Sequence, residues 1–163
     1  MTAALAVAVA ALAYAAFALQ STVLAVVDVR THRLPDRWVL PGYVVAGVLL
    51  PASALAAATP LRILGVVGGA AALFAFFLLL RMLRAGAMGG GDVKLAGVAG
   101  AHLGFFGWDT VLFGAVGAFV LGGLYGVALL TLGRAERTTA IPFGPFLLGG
   151  AWLAIAAALV RGG

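Results

Sequence analysis

Cysteine is absent from the 163 residues of this chain, and charged side chains are scarce. The first absence excludes disulfides, thiolate nucleophiles and cysteine metal sites. Charged residues make up 9% of the chain and hydrophobic residues 64%, which is more apolar surface than a soluble domain can bury. The composition therefore predicts a membrane protein whose principal surroundings are the lipid bilayer.

Basic residues outnumber acidic ones by ten to five, which gives a formal net charge of +5. They are dispersed among the connections between apolar stretches, with no basic stripe or aromatic platform that could follow a phosphate backbone. Nucleic acid is therefore excluded as a partner. His32 and His102 have no metal-ligand companion at helical spacing, so both are interpreted as structural, and neither a metal nor a cofactor is expected.

Apolar stretches recur along the whole chain, and each is close to the roughly 20 residues that one transmembrane helix needs. The six prolines stand where these stretches begin, bend or end, as expected of a residue that cannot donate to a helix ladder. The pattern predicts an all-α fold, a polytopic membrane protein with a bundle of about six transmembrane helices in a single domain over residues 1–163. The predicted spans are 3–27, 39–58, 63–83, 93–108, 110–132 and 144–161.

Small residues spaced four apart are typical of membrane helices whose backbones approach each other closely. Such spacing occurs three times, and each pair predicts a helix contact rather than a chemical role. The pairs are Gly65 with Gly69, Gly100 with Gly104, and Gly122 with Gly126.

The distribution of loop charges predicts the orientation of the bundle. Only Arg62 and Arg161 fall on one side, and the other eight basic residues share the opposite side. Because basic loops remain in the cytoplasm, we expect a multi-pass protein of the inner or plasma membrane with its N-terminus outside. The cytoplasmic set is Arg30, Arg33, Arg37, Arg81, Arg84, Lys94, Arg134 and Arg137.

Asp28 and Asp92 are the acidic residues that most need an explanation. Asp28 closes the first apolar stretch and Asp92 opens the fourth after a run of glycines, so both are expected at the cytoplasmic boundary. An ionisable group near bilayer depth is costly and is by default a functional hypothesis. Asp109 and Glu136 are interpreted as ordinary loop charges, and Asp36 as an N-cap of the second helix.

Three segments of the chain resemble the type IV prepilin peptidases, a family of GxGD-type intramembrane aspartyl proteases. The first resembles the family's first-aspartate loop, the second its second-aspartate motif, and the third its run before the last helix. The segments are Asp28 with Arg30, Arg33, Leu34-Pro35-Asp36 and Leu40-Pro41; Gly89-Gly90-Gly91-Asp92-Val93-Lys94-Leu95; and Ile141-Pro142-Phe143-Gly144-Pro145-Phe146.

The resemblance implies an aspartic endopeptidase that removes the leader peptide of a prepilin or pseudopilin at the cytoplasmic face. The partners it implies are that substrate, the lipid bilayer, and the machinery of pilus or secretion-system assembly. Longer members add an N-methyltransferase activity and an N-terminal module with paired cysteines. This chain has neither that module nor a cysteine, so it resembles a short form. The resemblance then implies leader cleavage and leaves methyl transfer open, and a peptidase alone is expected.

Hydrolysis of an amide by two carboxylates needs them so close that one keeps a proton while the other activates water. Asp28 and Asp92 are the predicted catalytic pair, and the helix dipoles favour the anion at Asp92 and the proton at Asp28. The glycines before Asp92 are expected to let extended substrate approach. Lys94 and Asp36 are candidate supporting residues, and Lys94 is also explained as a cytoplasmic anchor.

Three rival functions differ in what they require of the two aspartates. A small proton- or ion-coupled carrier would use Asp28 and Asp92 as ion-binding carboxylates, but such sites lie near the bilayer midplane. A membrane scaffold would need neither aspartate. A lipoprotein-type signal peptidase also uses two aspartates, but on the outer face, which contradicts the loop charges.

Overall fold

All regular structure in the part of the chain described by the computed structural model, residues 2–83, 88–133 and 142–162, is helical. The predicted all-α bundle is therefore confirmed, and most helix ends lie within a few residues of the prediction. Arg84, Arg134, Glu136, Arg137 and Ile141 lie outside the described residues. The six helices are α1 Thr2–Thr31, α2 Asp36–Ala56, α3 Leu61–Leu83, α4 Gly90–Gly104, α5 Trp108–Thr131 and α6 Gly144–Val160.

Four of these helices, α1, α2, α3 and α5, are long and apolar enough to cross a membrane. The chain is thus a multi-pass membrane protein. The helices α4 and α6 are shorter, with 15 and 17 residues. A short helix is sufficient for α4 because it packs against α2, α3, α5 and α6, and every residue from Leu95 to Gly104 is buried.

Glycines join α3 to α4 in a close helix contact, and the predicted contact role of two of the three glycine pairs is thereby confirmed. A Cβ added at Gly69 would collide with the carbonyl oxygen of Gly100, and one at Gly65 would collide with that of Gly104. Backbones can approach this closely only where side chains are missing. Gly122 contacts the ring of Phe143 instead, so it accommodates an aromatic side chain.

Replacing Gly100 by valine is expected to destabilise the bundle by about 1–3 kcal/mol or more, because the new side chain meets the Gly69 backbone, which cannot move aside. The measurement is the thermal unfolding midpoint of the purified protein in detergent. Gly123→Val on α5 is the matched control, since nothing lies within 4 Å of a Cβ at that position. Equal midpoints for both variants would contradict this account of the interface.

The two ends of the bundle differ in charge. Arg62 lies over the Phe105 ring at 5.1 Å, and Arg161 pairs with Asp109 at 3.3 Å, so these residues share one end. The opposite end is formed by the last turn of α1, the first turns of α2, α4 and α6, and the last turn of α3. Its described basic residues are Arg30, Arg33, Arg37, Arg81 and Lys94.

Candidate active site

Asp28 lies in the last turn of α1 and is only 4% exposed. Its Oδ2 accepts a hydrogen bond of 2.9 Å from the backbone N–H of Gly144, the first residue of α6. The N–H groups of a first helical turn have no partner within the helix. The carboxylate therefore receives one of these N–H groups and fixes the start of α6 against the end of α1.

Asp92 is the third residue of α4, in the first turn of the helix. Its Oδ2 accepts a hydrogen bond of 3.0 Å from the backbone N–H of Gly89, the N-cap residue. A side chain in the first turn thus bonds back to the residue that precedes its own helix. The second oxygen, Oδ1, is buried and has no hydrogen-bond partner. A buried carboxylate oxygen without a donor is costly, so this atom is available to a proton, a water or a substrate group.

Both aspartates line one open cavity of about 450 Å³ at the basic end of the bundle. They are 64 positions apart in the chain (92 minus 28), and the structure brings them to the same space. The cavity is partly polar, unlike the lipid-facing grooves of the bundle. Its lining residues are Asp28, His32, Arg33, Leu34, Pro35, Asp36, Gly89, Gly90, Gly91 and Asp92.

Leu34, in the connection between α1 and α2, packs between the two aspartate segments. A Cβ at Gly91 would come within 2.5 Å of the Leu34 Cβ, and one at Gly144 would lie 3.4 Å from its Cδ1. Leu34 is 8% exposed although it belongs to a connection. The glycine at position 91 thus makes room for Leu34, a packing reason that is separate from access for substrate.

Asp36 does not cap α2 with its side chain, so that part of the sequence interpretation is wrong. The helix begins at Asp36 itself, with Pro35 before it and no side-chain cap. Both carboxylate oxygens of Asp36 instead accept hydrogen bonds of 2.7 Å from the Lys94 ammonium. In this contact both the donor and the acceptor are charged groups, whereas a cap would offer the carboxylate only a neutral backbone N–H. Lys94, two positions after Asp92, therefore pairs with Asp36.

The two histidines have different surroundings. His102 is fully buried, its ring stacks on Phe17 at 4.0 Å, and its Nδ1 lies 2.9 Å from the Val98 carbonyl oxygen. This agrees with a structural role. His32, by contrast, lines the aspartate cavity and has a positive φ of 50°. Among the described residues, no group of three side chains could hold a metal ion.

Sequence reasoning missed three residues of the cavity region as individual contributors. Gly144 and Leu34 belong to segments that carry the family resemblance. No local pattern indicates that Gly144 contacts Asp28 or that Leu34 contacts Gly91. The sequence favours a structural interpretation of His32, because this residue lacks a metal-ligand companion at helical spacing. Its place in the loop after Asp28 was the available signal, since a connection this short keeps its side chains near the aspartate.

Comparison with known proteins agrees with this site. The type IV leader peptidase family matches residues 15–127. Over 133 residues the chain is 32% identical to a protein of Stutzerimonas stutzeri named prepilin leader peptidase/N-methyltransferase, covering 81% of this chain and 45% of that protein. Proteins of the same name from Bacillus subtilis and Burkholderia pseudomallei are 31% and 33% identical, covering 81% and 85% of this chain and 50% and 44% of theirs.

The chain thus spans about half the length of the curated relatives it matches. No solved structure matches it significantly. The matched segment, residues 15–127, contains both aspartates and the glycine run at the start of α4. Because the match covers well over half of the chain, this protein belongs to the type IV leader peptidase family.

Proposed function

We propose that this protein is a membrane-embedded aspartic endopeptidase that removes the leader peptide of a prepilin or a pilin-like subunit. The observation that carries the proposal is the shared cavity of Asp28 and Asp92, which come from helices far apart in the chain. Family membership and the names of the matched relatives support the same activity. The six helices act as one domain, with α4 packed among its neighbours.

Asp28 and Asp92 act as a pair that holds one proton between them. The ionised member takes a proton from water, and the resulting hydroxide adds to the scissile carbonyl while the protonated member donates to its oxygen. As the tetrahedral intermediate collapses, one of its hydroxyls returns a proton to the ionised aspartate, the C–N bond breaks, and the leaving nitrogen takes the proton of the other aspartate. The pair then again holds one proton. The unpartnered Oδ1 of Asp92 supports this proposal, because a buried oxygen without a donor gains a partner when the shared proton or a substrate group reaches it.

The expectation that Asp28 is the proton carrier loses its basis in the fold. That expectation depends on the dipole of α1, whose C-terminal end opposes an anion at Asp28. In the fold, Asp28 also accepts the backbone N–H of Gly144 at the start of α6. Each aspartate therefore receives one N–H at a helix N-terminus, which favours the anion at both. The pair titrates as a unit, and acid and base are properties of the pair.

Substrate reaches the pair from the open side of the cavity. Gly89 is exposed and Gly90 is half-buried at its rim, where the missing side chains let an extended peptide approach Asp92. The guanidinium of Arg81 occupies the space beside Gly90. The flexible side chain of Arg81 can move aside, whereas Leu34 beside Gly91 is fixed by packing.

In the proposed orientation the bundle lies in the plasma, or inner, membrane with its N-terminus outside, and this cavity faces the cytoplasm. The clustering of Arg30, Arg33, Arg37, Arg81 and Lys94 at the cavity end supports it. In this setting the leader is cut before the subunit enters a pilus or secretion-system assembly, whose machinery is the expected partner.

Reporter fusions test the orientation. A fusion after Thr59, between α2 and α3, is expected to report the exterior, and one after Leu83, at the end of α3, is expected to report the cytoplasm. The reason is the excess of basic residues at the cavity end. An alkaline phosphatase and a fluorescent reporter at each position give opposite signals. The reverse pattern at both positions would place the aspartates outside and contradict cytoplasmic cleavage.

Cleavage of a prepilin by the purified protein in detergent tests the activity itself. Mass spectrometry of the product is expected to show loss of the leader through one peptide bond. The carrier alternative predicts instead an aspartate-dependent proton or ion flux into liposomes and an intact prepilin. The aspartates lie in the terminal turns of α1 and α4 rather than at mid-helix, which favours the peptidase.

A further inference from the structure

One cluster near the cavity is not used by the chemistry above: Asp36 and Tyr43 on α2, with Lys94 on α4. The Lys94 ammonium donates to both oxygens of Asp36 at 2.7 Å. About two helical turns further along α2, the Tyr43 hydroxyl donates to the backbone carbonyl oxygen of Lys94 at 2.7 Å. Lys94 is thus attached to α2 twice, through its side chain and through its main chain.

The cluster connects the chain segment that carries Asp28 to the segment that carries Asp92. Asp36 follows Asp28 by eight positions through a short connection, and Lys94 follows Asp92 by two positions in the same helix turn. Any change in the spacing of α2 and α4 therefore moves the Asp28 segment relative to Asp92. Between these anchors, Leu34 is pressed against Gly91, which leaves little room for independent adjustment.

Tyr43 has a tightly fitted place of its own. Its hydroxyl occupies the space where a Cβ of Gly97 would stand, so the glycine allows the ring to lie against α4. Tyr43 is partly buried and packs against the hydrophobic core. The ion pair is more open, with side-chain exposures of 39% for Lys94 and 55% for Asp36. Exposed pairs add little stability, so the cluster is better suited to fixing geometry than to holding the fold.

We propose that Asp36, Tyr43 and Lys94 form a clamp between α2 and α4 that sets the separation of the Asp28 and Asp92 carboxyl groups. The three are positioning residues, since they act through the aspartates. The inference rests on the proposed peptidase function for its kinetic consequence. Its structural consequence, a fixed connection between α1 and α2, can be measured whether or not the protein cleaves prepilin.

Kinetics of cleavage give the first test. Lys94→Met, Asp36→Asn and Tyr43→Phe are each expected to lower kcat roughly 10- to 100-fold with little change in KM, because misplaced catalytic groups slow the chemical step. Lys94→Arg keeps the charge and is expected to retain most activity, and the exchanged pair Asp36→Lys with Lys94→Asp is expected to recover part of it. Gly97→Ala displaces Tyr43 without removing a polar group and is expected to resemble Tyr43→Phe.

Hydrogen exchange measured by mass spectrometry gives a second test that does not depend on activity. In the clamp variants, the amides of residues 32–34 and 89–92 are expected to exchange faster than in the wild type, while those of α5 do not change. Asp109→Asn is the matched control, since it removes the comparable ion pair with Arg161 at the other end of the bundle. It is expected to leave both kcat and this exchange unchanged.

The outcomes separate the two proposals. Wild-type exchange in residues 32–34 and 89–92 of every clamp variant would overturn the clamp, even if prepilin is cleaved normally. Faster exchange without any cleavage by the wild-type protein would support the clamp and contradict the peptidase. A rise in KM with unchanged kcat would also overturn the positioning role, because it would indicate that the cluster binds substrate.

Discussion

Replacing Asp28 or Asp92 by asparagine is expected to abolish leader cleavage while the protein stays in the membrane at its normal level. Each change removes the group that holds or accepts the shared proton, for which a loss of about 10⁴-fold in rate is expected. Asparagine keeps the shape of aspartate, and its side-chain oxygen can still accept the N–H of Gly144 or Gly89. The measurements are prepilin processing by mass spectrometry and the amount of protein in the membrane fraction.

Asp109→Asn is the control for these variants, because Asp109 pairs with Arg161 at the far end of the bundle. Wild-type cleavage is expected from it. The double variant Asp28→Asn with Asp92→Asn is expected to be no slower than either single one, since residues that act as a unit are not additive. Cleavage at close to the wild-type rate by Asp92→Asn would show that the catalytic assignment is wrong.

The helices and the shared end of the two aspartates could be predicted because both depend on local information. The lengths of apolar stretches give the helices, and the parity of helix crossings places Asp28 and Asp92 on the same side. The spacing of Gly65 with Gly69 and of Gly100 with Gly104 likewise predicts that each pair lies at a helix contact, which the structure confirms. That the two pairs contact each other is known from the structure alone.

The supporting contacts of the site could not be predicted, because they depend on which helices become neighbours. Gly144 donates to an aspartate 116 positions earlier in the chain, and Lys94 binds a carboxylate 58 positions earlier. Nothing in the residues around Asp36 indicates that its partner is on α4 rather than in its own first turn. Cap preferences describe a helix in isolation, and here a tertiary ion pair replaces the cap.

Adding a single methyl group at Gly144 is expected to lower kcat about 100-fold without unfolding the protein. A Cβ there would lie 2.7 Å from Oδ2 of Asp28, too close for contact, so the carboxylate has to leave its hydrogen bond with the Gly144 N–H. Alanine favours helices more than glycine does, so the effect cannot come from a weaker α6. A displacement of this size at a catalytic group is enough for such a loss.

Gly91→Ala is expected to act in the same direction through Leu34, whose carbonyl oxygen would lie 2.9 Å from the new Cβ. Gly47→Ala on α2 is the matched control, since nothing lies within 4 Å of a Cβ there and wild-type kinetics are expected. Steady-state cleavage and the thermal unfolding midpoint in detergent are measured for all three variants. If Gly144→Ala cleaves at the wild-type rate with an unchanged midpoint, Asp28 does not depend on the start of α6 for its catalytic position. The expected result is that Gly144→Ala and Gly91→Ala lose cleavage, Gly47→Ala keeps it, and all three have the same unfolding midpoint. Added volume would then impair catalysis only where α1, α4 and α6 meet around the two aspartates.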